Sequence, residues 1–173
     1  MPEKHEMRGG KRVAEFEIKL IDNSGEVLKE LDRLTAAGLE ALGLTGERHA
    51  KEGAPVGTTQ STGIKNYHGG SLKKSLTHKV VNDEVYVGTN LSVTHNGKRH
   101  PYPLYVEMGT GIYAAEGNGR KSPWSWQDKN GKWHYTRGIK PTHFLKKAVS
   151  APKHVAEYKR ILQAVYTGND KKI

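Results

Sequence analysis

The sequence predicts an α+β fold: a mostly antiparallel sheet packed by a long N-terminal helix and a C-terminal helix, with long loops and a protruding aromatic β-hairpin. Three observations predict it. Residues 25–51 place Val27, Leu31, Leu34, Gly38, Ala41 and Leu42 within one arc of about 100° on a helical wheel, with Lys29, Asp32, Arg33, Glu40, Glu47 and Arg48 opposite. Residues 142–168 carry a second helical pattern in two pieces. Between them lie short alternating segments punctuated by Asn, Asp and Gly, the mark of strands and tight turns. Each helix has a single apolar stripe, so each needs a single covering face.

In chain order, residues 1–12 are charged and read as a flexible arm. In VAEFEIKLI, Phe16, Ile18 and Leu20 alternate with Glu15, Glu17 and Lys19, which predicts a half-buried strand. Asn23 with Glu26 three residues on has the spacing of a capping box, and the long helix follows. Gly38 and Gly43 inside it mark close approach or a bend, each costing up to about 1 kcal/mol against Ala. Residues 52–71 hold little that a core would take and read as a loop, as do 91–101, turning at Asn96-Gly97, and 111–122. SLKKSLTHKVV, NDE and VYVGTN read as a hairpin with an Asn-Asp turn. YPLYVEMGT is a compact apolar stretch closed by Gly109. SPWSWQDKNGKWHYT is an aromatic hairpin: Trp124 and Trp126 share a face, DKNG turns the chain, and Trp133 and Tyr135 share a face on the return. In the C-terminal helix, Phe144, Leu145, Ala148 and Val149 form one stripe, Pro152 a break, and Val155, Tyr158, Leu162 and Val165 a second stripe. One domain over 13–167 is expected, with a flexible tail at 168–173 and no internal repeat.

Composition narrows the classes. Leu, Ile, Val and Phe supply 34 of 173 residues, so the core is small and sizeable segments lie outside it. No apolar run approaches the roughly 20 residues a spanning helix needs, so no membrane partner is expected. The charged N-terminal stretch lacks an apolar region of the signal-peptide kind, and Cys is absent, so a cytoplasmic setting is expected. Residues 1–116 are neutral overall; the whole excess of +10 falls in residues 117–173. That points to an acidic partner, nucleic acid or protein, or to a solvated basic tail.

No constellation for chemistry emerges. HExxH, GxSxG and the phosphate loop are all missing. His95 and His100 lie in one polar stretch, but Lys98 and Arg99 between them repel a metal and no carboxylate accompanies them. His134 and His143 sit beside aromatic residues. Glu107, inside an apolar patch, reads as a buried catalytic acid or, in preference, as an anchor for N–H groups of the Gly-Thr-Gly turn after it. The expectation is no catalytic residue, no metal and no cofactor. The hairpin residues Trp124, Trp126, Lys132, Trp133, Tyr135 and Arg137 form the candidate interface, and three readings stay open: a protein-contact arm, a platform for single-stranded bases, or a cover for the core.

The order of motifs resembles the tail-completion, or head–tail joining, family of minor tail and neck proteins in long-tailed double-stranded DNA phages. Pro55, Thr62, Gly63, Leu72 and Ser75 match that family's Pro, Thr-Gly and Leu-x-x-Ser segment. Tyr102, Tyr105, Val106, Glu107, Gly109 and Thr110 match its Tyr-x-x-Tyr-Val-Glu-x-Gly-Thr stretch, and Pro141, Phe144, Leu145 and Ala148 its closing Pro-x-x-Phe-Leu-x-x-Ala. The likeness covers about residues 25–150. Two insertions, STGIKNYHGG and VTHNGKRHP, depart from the family pattern.

The resemblance implies a structural virion protein. It forms a homo-oligomeric ring, commonly a hexamer, at the top of the tail tube. Its partners would be a tail terminator or tail-tube protein and the head connector, with DNA passing through the lumen without specific binding. It would reside in the virion, and in the host cytoplasm during assembly. The alternative from the residues alone is a nucleic-acid-binding module built on the basic C-terminal third and the aromatic hairpin.

Overall fold

A computed structural model describes residues 22–57, 69–95, 97–127 and 131–168. The expected arm at 1–12, the strand at 13–21, Thr62 and Gly63, the Asn96 turn position and the tail beyond Gly168 lie outside these residues.

Helix α1 spans Ser24–Gly53 and is the axis of the fold. It starts where the carbonyl of Asn23 accepts the N–H groups of Glu26 and Val27. The expected capping box does not form: Asn23 makes no side-chain cap, and the Asp22 carboxylate takes the Ser24 N–H at 2.9 Å instead. The helix ends at Ala54, extended and followed by Pro55, which cannot donate to another turn. A short helix α2 (Ser71–Ser75) leads into β1 (Thr77–Val81), which pairs antiparallel with β2 (Glu84–Gly88). Asn82 and Asp83 both adopt positive φ, 50° and 60°, the mirror-image two-residue turn that matches strand twist. The SLKKS segment, expected to belong to the hairpin, is therefore helical.

The stretch 91–101, expected as a loop, holds a small ladder of β3 (Val93–His95) and β4 (Lys98–His100). YPLYVEM forms helix α3 (Tyr102–Met108), and a 3-10 turn at Gly111–Tyr113 interrupts the expected 111–122 loop. The aromatic hairpin is β5 (Trp124–Gln127) with β6 (Trp133–Thr136). Helices α4 (Phe144–Ser150) and α5 (Pro152–Thr167) close the chain, divided at Ala151 by the proline. The fold is α+β as predicted, and among the described residues its strands form three separate two-stranded antiparallel ladders.

The β1–β2 hairpin, α4 and α5 all pack on α1. The core joins Ala50 and Ala54 of the α1 end to Leu72, Leu76, Val106, Phe144 and Ala148, with Val87, Leu91 and Leu145 around it. Glycines on α1 permit the contact: a Cβ at Gly43 would lie 2.3 Å from the His78 ring, and one at Gly46 2.9 Å from Val87. His78 inserts there. Its Nδ1 donates to Glu47 Oε2 at 2.6 Å and its Nε2 to Glu40 Oε1 at 3.0 Å, so it ties β1 to α1 as an imidazolium. The hydrogen bond it donates to Glu47 holds the His78 pKa above the ordinary imidazole value.

The apolar stripe of α1 is only partly used. Burial begins at Gly38, which faces Leu162 and Val165 of α5. Val27, Leu28 and Leu31 remain 63, 59 and 48 % exposed. Thirty residues extend about 45 Å, farther than the described elements packed on them reach. At 48 % exposure, an acidic substitution at Leu31 is expected to be tolerated in the folded subunit, contrary to the single fully covered face the periodicity suggests.

Candidate functional site

The residues of the two strongest sequence motifs meet in space. Glu107 is buried near the end of α3, and its carboxylate accepts the backbone N–H of Leu145 at 2.9 Å and of Lys146 at 3.0 Å. Those are orphan donors of the first turn of α4, whose own N-cap, His143, has φ 52° and offers no side-chain cap. Glu107 thus caps a helix 38 residues away and anchors no N–H of the Gly-Thr-Gly turn, which corrects the sequence expectation. The carbonyls of Val106 and Glu107 accept the N–H groups of Thr142 and His143, so α3 and the start of α4 form one hydrogen-bonded unit. Leu72, Val106, Phe144 and Ala148 are buried around it. Ser75 donates to the Leu72 carbonyl and accepts from Thr89, while Pro55 is exposed and Tyr102 and Tyr105 lie at the surface. Leu72, Ser75, Val106, Glu107, Phe144, Leu145 and Ala148 build a frame.

That frame fixes the base of the aromatic hairpin. The N–H of Thr110 donates to the Ile139 carbonyl at 2.9 Å, the Ile139 N–H returns to Thr110 Oγ1 at 3.0 Å, and the Ile112 N–H donates to Arg137. Here backbone runs against backbone. A Cβ at Gly138, where φ is 122°, would lie 2.0 Å from the Thr110 carbonyl oxygen. A Cβ at Gly111, where φ is 61°, would lie 2.1 Å from that of Arg137. Only glycine meets both demands.

The hairpin register pairs Trp124 with Thr136, Ser125 with Tyr135, Trp126 with His134 and Gln127 with Trp133. Directly opposed residues share a face, so the aromatic residues divide between two faces. On one face Trp126 stacks on His134, 4.5 Å between centroids, and Arg120 lies over Trp124 at 5.6 Å. On the other, Trp133 and Tyr135 are each 68 % exposed. Lys132 and Arg137 flank that face in sequence and are also exposed. The face covers no core, so of the three sequence readings the cover is excluded for Trp133 and Tyr135. It is suited chemically to bury large flat rings against a partner that tolerates or supplies negative charge.

A second polar cluster escaped the sequence reading. His49 of α1 and His154 of α5 are buried and stacked, 3.6 Å between ring centroids. His49 Nε2 bonds Glu157 at 2.8 Å, Arg48 joins the same carboxylate, and His154 Nδ1 donates to the carbonyls of Lys147 and Ala148. These contacts stitch α1 to α5, and no local sequence pattern announces a pair 105 residues apart. Among the described residues, no three His, Asp or Glu side chains are placed to hold one metal ion. His95 and His100 stand on opposite strands of the small β3–β4 ladder, and His143 is the N-cap of α4. No helix among the described residues is long and apolar enough to cross a membrane.

Comparison with protein families, curated proteins and solved structures gives no match.

Proposed function

We propose that the chain is a structural subunit of a long-tailed phage. It completes the top of the tail and joins it to the head connector as a ring through which DNA passes. The hairpin is its protein-contact arm, and the role requires no catalytic centre and no cofactor. The observation that carries this reading is the Trp133–Tyr135 face: two aromatic rings, each 68 % exposed, on a hairpin whose base is locked by paired backbone contacts. A rigid mount suits an arm that must meet a partner in one geometry, since preorganisation lowers the ordering cost of binding. The buried motif residues Leu72, Val106, Glu107, Phe144 and Ala148 form the frame beneath it, which supports the same reading.

The nucleic-acid alternative draws on the same rings and on the cations around them. Native mass measurement across a concentration series, with and without tail-tube and connector proteins, separates the two. The ring reading expects concentration-dependent oligomers and recruitment by at least one of those proteins. A strict monomer that ignores both proteins, yet shifts oligonucleotides with an affinity falling steeply as salt rises, overturns it.

A further inference from the structure

The exposed aromatic face of the hairpin needs a surface to receive it, and α1 carries one. Val27, Leu31 and Leu34 line an open groove along its first turns, with Glu26 and Glu30 beside them. Asp22 through Arg33 hold four carboxylates (Asp22, Glu26, Glu30 and Asp32) against the two cations Lys29 and Arg33. The hairpin and its flanks have the opposite character. Residues 120–140 hold six cations against the single carboxylate Asp128, and Arg120, Lys121, Lys132, Arg137 and Lys140 are all exposed.

Building on the ring reading above, we propose that the Trp133–Tyr135 face of one subunit seats on the Val27–Leu31–Leu34 groove of a second copy. The contact joins apolar to apolar at its centre and basic to acidic at its rim, the usual anatomy of a specific interface. It forms between chains because of geometry. The Gly53 end of α1 lies against Phe144, next to the frame that anchors the hairpin. The groove ends at Leu34, about 30 Å farther along the helix at 1.5 Å per residue. A four-residue strand reaches about 13 Å. Two different surfaces meeting in this way make a head-to-tail contact, which closes into a ring when the rotation permits.

The sequence holds no Cys, so single cysteines report contacts without background. Subunits carrying Leu31→Cys are mixed with subunits carrying Tyr135→Cys and treated with a short bifunctional maleimide. Cross-linked dimers are expected from the mixture, and not from either variant alone. Val27→Glu, at an exposed position, is expected to weaken self-association about tenfold or more by adding charge to the groove. Cross-linking of Leu31→Cys alone would mean symmetric α1–α1 pairing and overturn the proposal. So would a link within one chain carrying Phe16→Cys and Leu31→Cys, which would place the chain's own preceding residues in the groove. Oligomers that form without the mixed cross-link overturn this pairing and leave the ring reading standing; a monomer at every concentration removes both.

Discussion

Replacing Glu107 by Ala tests the frame most sharply. The carboxylate accepts two backbone N–H groups at 2.9 and 3.0 Å and is 9 % exposed. Hydrogen bonds to a charged acceptor contribute about 1.5–3 kcal/mol each, and a carboxylate at a helix N-terminus adds roughly 0.3–1 kcal/mol. Part of the loss returns when water enters the vacated space, so Glu107→Ala is expected to cost about 3–4 kcal/mol. At roughly 2–4 °C per kcal/mol for a domain of this size, the melting temperature falls by about 10 °C. Glu107→Gln keeps an acceptor oxygen and is expected to cost about half as much. Urea unfolding monitored by tryptophan fluorescence gives the energies, and hydrogen exchange gives the location: Leu145 and Lys146 amides lose protection before those of α5. A loss below about 1 kcal/mol for Glu107→Ala, with those amides still protected, would refute the cap.

The remaining predictions are narrower. His78 has its pKa raised from 6.5, chiefly by the hydrogen bond it donates to Glu47, so its stabilisation is complete below that ordinary value and fades as pH rises through the raised one. Urea midpoints of the wild type should therefore fall across that alkaline limb, and His78→Gln should flatten it; equal slopes would count against the link. The Glu47 pKa is lowered by Lys51 first and His78 second, so its stabilisation holds above 4.5 and is lost only as pH falls through the lowered value. Phe144→Ala, at a site 1 % exposed, should cost about 3–5 kcal/mol in the same unfolding assay. Gly138→Ala should cost about 2 kcal/mol or more, because its Cβ would press on the Thr110 carbonyl, and limited proteolysis should then cut near the hairpin base.

Much of this architecture is local, and so legible in the sequence. The 3.6-residue period set α1 and α5, Pro152 set their neighbour's end, and Asn82-Asp83 set the first hairpin turn. What escaped depends on distant partners. Glu107 stood out as a carboxylate in an apolar patch, but the N–H groups it serves lie 38 residues on, beyond any local pattern. The two aromatic faces of the hairpin turn on loop length. Five residues separate Gln127 from Trp133; one residue more or fewer would move every β6 side chain to the other face. Composition alone does not fix that register. The exposed half of the α1 stripe misled for a related reason: periodicity says which residues share a face, and says nothing of how far a covering element extends. For the candidate interface, the sequence named the hairpin residues, and the register divides them between the Trp126–His134 face and the more exposed Trp133–Tyr135 face.

The central claim, that the Trp133–Tyr135 face drives assembly of a structural ring, is tested most directly by native mass spectrometry of the wild type beside the Trp133→Ala/Tyr135→Ala double variant. Both side chains are mostly exposed, so circular dichroism and melting temperature should stay near wild type. Ring-sized assemblies that grow with concentration are expected for the wild type, and a monomer for the folded double variant under the same conditions. Equal assembly of the two, or a wild type that stays monomeric at every concentration and with every tail protein added, would contradict it.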